Sequence, residues 1–477
     1  MAGPELRGVV SRRINGNRTL PGPQRGAILE PGTKFSRVFC GETTGLNPAA
    51  FGALCPATVA HTVTMNDGDL PLAVPVEESG AGGGGSQSAV PTAVSRTATL
   101  SRSLSYSRAI DESADDYMLA NGYPHGLREE VKNSCKQFPS RIWILDNSGS
   151  MGKCDGKKLL NLKGKQAKQL VQCSRWEELC KSVEFHADLV ATLKAPTDFR
   201  LLNRSFETGE QYFSISSMDP REMRKQAENV KRIMRASVPH NATPLTMHLN
   251  AVRSRIIEEL DKLTELGRRI VVVIATDGLP SDSAGKTNNR TKREFRDALK
   301  DLQGLPVWVV VRLLTDDSEV VEYWNDIDSE IEVPLEVLDD WMGEAAEIYN
   351  HNPWLNYPEL MHHVREMGFS HPLFDLIDER RLDVSEMLKF MELLFGQACR
   401  ELPDPRVDFA GFQDMLDDIV ADAGKVITIG EKILIAVNKG QSEKVMKSSV
   451  ICTPSSWINR SQLKKCYSNK SGACTIS

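Results

Sequence analysis

The chain has 477 residues, a formal net charge of −6, 40% hydrophobic and 26% charged residues, an ordinary globular profile with more length than one hydrophobic core needs. Its mildly acidic balance gives no support to nucleic-acid binding, and no stretch approaches the roughly eighteen consecutive apolar residues of a membrane span. Arginines near the N-terminus are not followed by an apolar run, so no secretory signal is expected and the reading is cytoplasmic with the nucleus as the alternative; the ten cysteines, without C-x-x-C pairs, read as free thiols.

Residues 1–112 are rich in Gly, Pro, Ser, Thr and Arg, with AGGGGSQS at 81–88 and SRTATLSRSLSYSR at 95–108. They hold too little apolar surface to offset the entropy of ordering, and we expect residues 1–135 to be mostly disordered. Ser101, Ser103 and Ser105, flanked by arginine, suit a basophilic kinase. Ordered chain is expected from RIWILD at 141–146, an apolar run of β-formers ending in an acid and a tight loop, DNSGSMG. The stretch 157–174 reads as a hairpin turning at Lys163-Gly164-Lys165, and 175–195 as a helix with Leu179, Val183, Ala187 and Val190 on one face. Strands are expected at 199–204 and, at an edge, 212–216. Asp219 caps a helix with Pro220 in its first turn, and a second helix is expected over 245–265, with Leu245, Leu249, Val252, Ile256 and Leu260 aligned.

RRIVVVIATDG at 268–278 is an uninterrupted Val/Ile run, the pattern of a strand buried on both faces in a parallel sheet. A helix near 290–303, a strand at 307–314, a helix near 317–329 and a strand at 333–338 continue the alternation. The expected fold is therefore α/β, a doubly wound, mostly parallel sheet over 136–351. Short helices near 357–367, 372–379, 384–397 and 411–422 suggest a helical extension over 352–430, and 431–477 reads as a mostly flexible tail.

Ligands of open α/β sheets sit at the carboxyl ends of the strands, where loops from different strands converge. Three such loops carry oxygen ligands: Asp146-Asn147-Ser148-Gly149-Ser150 after the first strand, Thr243 before the second long helix, and Thr276-Asp277-Gly278 after the Val/Ile run. Alternate residues of a turn project to one side, so Asp146, Ser148 and Ser150 can face a common point with Thr243 and Asp277. Two acids and three hydroxyls suit a hard divalent cation, which takes oxygen ligands and few carboxylates.

The D-x-S-x-S motif, the later Thr-Pro before a helix and the T-D-G after a Val/Ile strand resemble the metal-ion-dependent adhesion site of von Willebrand factor A domains, in the same order along the chain. The resemblance covers fewer than half the residues. It departs in the 152–174 excursion, longer than the usual passage into the first helix. It implies that Ser148 and Ser150 bind the ion directly and that Asp146, Thr243 and Asp277 bind directly or through water. By the same resemblance the expected ion is Mg²⁺, with Mn²⁺ or Ca²⁺ as alternatives, and the sixth position would be left for an Asp or Glu of a protein partner. The function this implies is a metal-dependent protein–protein interaction module, not an enzyme.

Each feature has a plainer reading: an Asx turn for Asp146 and the serines, a helix cap for Thr243, a turn residue for Asp277. His186, His240 and His248 share no metal-ligand spacing with acids and read as packing or surface histidines. His362 and His363 are expected to face opposite ways on their helix. Two other functions compete with the first. One is a metal-independent scaffold working through its helices and tails. The other is a Mg²⁺-dependent phosphoryl-transfer enzyme of haloacid dehalogenase type, which needs an acid where Ser148 stands. Oligomeric state is not legible.

Overall fold

A computed structural model describes residues 112–161, 168–424 and 457–468. The expectations for 1–111, including Ser101, Ser103 and Ser105, for the 163–165 turn and for most of the tail lie outside the described residues.

The sheet grows outward from two apolar strands, β1 (Ser140–Leu145) and β6 (Ile270–Thr276). These pair in parallel, with Leu145 opposite Ala275. Between them in sequence lie a hairpin of β2 (Gly156–Asn161) and β3 (Lys168–Cys173), then β4 (Thr197–Leu201) and β5 (Tyr212–Ile215). Later come β7 (Val307–Leu313) and β8 (Leu335–Leu338). The six-stranded order is β5-β4-β1-β6-β7-β8, parallel except for the edge strand β5, which runs antiparallel to β4. β2 and β3 form a separate antiparallel pair.

Every residue of β6 is buried. Val271, Val273 and Ala275 point into one core while Ile270, Val272 and Ile274 point into the other, the period-2 alternation of a strand covered on both sides. The first face is covered by α3 (Arg175–Thr192) and α4 (Pro220–Ala236) through Leu179, Val183, Val230 and Ile233. The second is covered by α5 (Leu245–Glu258), α7 (Asn289–Lys300) and α8 (Ser318–Glu330) through Leu249, Val252, Phe295 and Trp324. The architecture is thus α/β with a mostly parallel sheet between helices.

Local signals place the helix starts. Ser174 caps α3 in a capping box with Glu177, and Asp219 accepts from the Arg221 amide at the start of α4. The long helix expected over 245–265 is broken at Glu259 into α5 and a short α6 (Leu260–Glu265), and Leu263 rather than Leu260 is buried.

Three regions depart from the expected organisation. Within the stretch read as disordered, α1 (Glu112–Ala120) and α2 (His125–Gln137) form and bury Met118, Leu127 and Val131. An unforeseen α9 (Trp341–His351) buries Trp341, Ala345 and Ile348. In the tail, α14 (Arg460–Tyr467) docks through Leu463 and Tyr467, with the Tyr467 hydroxyl donating to the Leu382 carbonyl at 2.7 Å.

The helices α10 (Glu359–Glu366), α11 (Pro372–Leu376), α12 (Val384–Phe395) and α13 (Phe409–Gly424) follow the expected segments. Met361, Val364, Phe374, Phe390 and Phe412 share a core with Val271 and Val273 of the sheet. Gly368 ends α10 at φ +87°, where a Cβ would lie 2.5 Å from Val271 Cγ1. Only glycine permits both that dihedral and that approach. Beside it, Arg141 Nε donates to the Met367 carbonyl at 2.8 Å.

Candidate metal centre

Because β1 and β6 pair in register, their carboxyl ends release the DNSGS and TDG segments side by side. The Asp146 amide donates to the Ala275 carbonyl at 2.9 Å, extending the ladder by one step. Asp146 is fully buried. One of its carboxylate oxygens accepts from the Ser148 amide (2.8 Å) and the other from the Thr276 hydroxyl (2.6 Å). From there a chain of side chains runs across the strand ends: Ser148 Oγ lies 3.0 Å from Ser150 Oγ, and Ser150 Oγ donates to Asp277 Oδ1 at 2.8 Å. Asp146, Ser148, Ser150 and Asp277, up to 131 positions apart in the numbering, are thus one connected group.

Thr243 is brought in through its backbone. The segment before it is tied to the first loop, with the His240 amide donating to the Asn147 carbonyl (2.8 Å) and the Gly149 amide to the Asn241 carbonyl (3.2 Å). On the other side the Thr243 amide donates to Ser281 Oγ (2.9 Å) and its carbonyl accepts from the Ser281 amide (3.0 Å). Asn147 cross-links the same loops, exchanging two 2.8 Å bonds with the Asn203 backbone, while Asn203 Nδ2 donates to the His240 and Ala242 carbonyls. Three loops are therefore held together mainly by backbone partners, leaving the serine hydroxyls and carboxylates to face one another.

Asp146 accepts from neutral donors, a backbone amide and a hydroxyl. Burial, and then the neighbouring Asp277 carboxylate, push Asp146 up from 3.8 to about 7. A cation between the two acids would screen their repulsion and offset the cost of burying the charge. Every donor of the group is oxygen, the set a hard divalent ion takes, so the residues fit the ion that the sequence suggested. Ser150 is half-buried and Gly149 exposed, so the group opens to the surface on the side of the DNSGS loop.

One feature of the site was not legible. Arg175, at the first turn of α3, donates to Asp277 Oδ2 at 2.8 Å and, through Nε and Nη2, to both oxygens of Asp155 (2.7 and 2.6 Å). The guanidinium is nearly buried, and it holds Asp155 below its usual carboxylate range through those hydrogen bonds. It leaves Asp277 Oδ1 to the serine chain. No motif marks an arginine at this position, since its partners lie 20 and 102 residues away.

The histidine readings also change. His362 and His363, expected to face opposite ways, are both buried and both approach Glu366, and His186 joins them from α3. The i,i+3 and i,i+4 spacing of Glu366 from the two histidines was visible in the sequence, but the partner helix was not.

No family model and no curated protein matches the chain. Among solved structures it is similar to an aspartate-to-alanine mutant of the PilB minor pilin from Streptococcus sanguinis, with a TM-score of 0.29 and 13% identity over 42% of this chain and 56% of that one. A likeness that slight carries no argument about fold or function. No helix among the described residues is long and apolar enough to cross a membrane.

Proposed function

We propose that the sheet domain is a von Willebrand factor A-type interaction module that binds a divalent cation, Mg²⁺ in the first instance, and through it a carboxylate of a protein partner. The observation that carries the reading is the hydrogen-bonded chain Asp146–Ser148–Ser150–Asp277 at the carboxyl edge of a parallel sheet, with the Thr243 loop fastened against it. Asp146, Ser148, Ser150, Thr243 and Asp277 would hold the ion. When bound, the ion supplies a centre of positive charge that an Asp or Glu of the partner can complete. The protein's own contribution is to fix the hydroxyls and to hold Asp146 and Asp277 close together in a buried frame, so that an added cation is strongly favoured. A partner carboxylate on that ion gains more than the 0–1 kcal/mol of a surface ion pair.

A metal-independent frame is the second reading, and Arg175 is what favours it: its guanidinium already neutralises Asp277. The two separate in a capture experiment with the full chain as bait, comparing Mg²⁺, EDTA and the Asp277→Ala variant. The metal-dependent module loses the same partner proteins in EDTA and in Asp277→Ala. The frame keeps them in both.

A further inference from the structure

We propose a second metal site, distinct in chemistry from the oxygen site, in which His186, His363 and Glu366 bind a borderline divalent cation such as Zn²⁺. The three side chains come from two helices, His186 from α3 and His363 and Glu366 from α10, and each is buried. One potential ligand atom from each lies within 4.8 Å of the other two. His186 Nε2 is 2.9 Å and His363 Nδ1 2.7 Å from Glu366 Oε2. Two nitrogens and a carboxylate oxygen, with a place left open, are the ligand types of zinc centres that keep a position for water.

Ligands at about 2.0–2.1 Å from a tetrahedral ion stand about 3.4 Å from each other. Entry of the ion therefore requires the nitrogen–oxygen separations of 2.9 and 2.7 Å to lengthen by about 0.5–0.7 Å, the proton on each liganding nitrogen passing to the other nitrogen of a neutral ring, or to solvent from a protonated one.

The surroundings support a metal over a simple ion cluster in three ways. Glu366 is already oriented by groups that would remain as outer partners: Arg312 Nε donates to Oε1 at 2.8 Å and Ser182 Oγ to Oε2 at 2.8 Å, and Arg312 is itself held by Glu178 at 2.8 Å. The rings are fixed by packing, with His186 4.7 Å from the Trp143 ring and His363 stacked 4.3 Å from Phe185. Finally, His363 and Glu366, though not His186, line a cavity of about 50 Å³ together with Ser182, His362 and the exposed Lys157 and Lys181. That is ample for a water as fourth ligand. A further buried ring nitrogen, His362 Nε2, has no hydrogen-bond partner and lies 3.6 Å from Glu366 Oε1.

The test is titration of the chelator-stripped full chain with Co²⁺, followed by displacement with Zn²⁺ and metal analysis. It is run on the wild type, Asp277→Ala, His186→Gln and His363→Gln, with circular dichroism to confirm folding. The expected result is intense visible ligand-field bands of four-coordinate cobalt that saturate at one Co²⁺ per chain, any further ion at the oxygen site adding only the weak bands of six-coordinate cobalt. The bands persist in Asp277→Ala, and binding weakens by more than the 10–100-fold typical of losing an outer partner in each histidine variant. Failure of the oxygen site thus leaves this result untouched. Absence of such bands in the wild type, which needs no variant to be folded, overturns the proposal. So does their persistence in folded His186→Gln. Either outcome makes the trio an ion cluster only.

Discussion

Replacing Asp146 by Asn isolates the electrostatic cost built into the oxygen site. In the metal-free protein Asp146 holds its proton more tightly than in the unfolded chain, since burial and Asp277 raise it from 3.8 to about 7. A raised carboxyl costs stability progressively as pH rises from about 4 to about 7, and the whole cost persists above that. At about 1.4 kcal/mol per pH unit, the gap corresponds to a ceiling of about 4 kcal/mol. Asparagine removes the charge while its Oδ1 can still accept from the Ser148 amide, and its amide can donate to a reoriented Thr276 hydroxyl. In EDTA, Asp146→Asn should be more stable than the wild type at pH 8 by about 2–4 kcal/mol, with the difference shrinking towards zero near pH 4–5; urea unfolding at the two pH values measures it. Mg²⁺ at 1,000 times its Kd should close or reverse the gap at pH 8, because it adds about 4.1 kcal/mol to the wild type only. A variant less stable than the wild type at pH 8 in EDTA, or a difference independent of pH, would refute the reasoning.

Three further outcomes follow from named contacts. Arg175→Gln breaks a buried pair with Asp277 and should lower metal-free stability by about 3–5 kcal/mol while tightening Mg²⁺ binding several-fold, read by denaturation and calorimetry respectively. Gly368→Ala sets a Cβ against Val271 at φ +87° and should cost about 2–4 kcal/mol from dihedral strain and overpacking, measured as a shift in urea midpoint. Phe206, 75% exposed and stacked on His240 beside the Asn147 loop, should serve the partner rather than the ion. Phe206→Ala is therefore expected to weaken partner binding at least tenfold in surface plasmon resonance and to leave Mg²⁺ affinity unchanged.

The parts of the fold legible in the sequence were those whose signal is local. The apolar runs of β1, β6 and β7 announce strands, that of β6 one buried on both faces, and Asp219 marks a helix start by capping. The helices α1, α2 and α9 were missed because their apolar stripes are short, three residues such as Trp341, Ala345 and Ile348, and become decisive only when a sheet is there to receive them. Position along the chain brought out the three site loops, since each follows a strand or precedes a helix of recognisable pattern. It could not reveal Arg175 on Asp277, nor His186 on Glu366, 180 residues apart, because ion pairs of that separation have no sequence period.

The central claim, a cation held by Asp146, Ser148, Ser150, Thr243 and Asp277, meets its most direct test in calorimetric titration of Mg²⁺ into the chelator-stripped full chain, repeated with Mn²⁺ and followed by electron paramagnetic resonance. Binding of one ion per chain in the wild type, lost in both Asp277→Ala and Ser150→Ala, is the expected result. A wild type that takes up neither ion, or variants that bind as the wild type does, would contradict it.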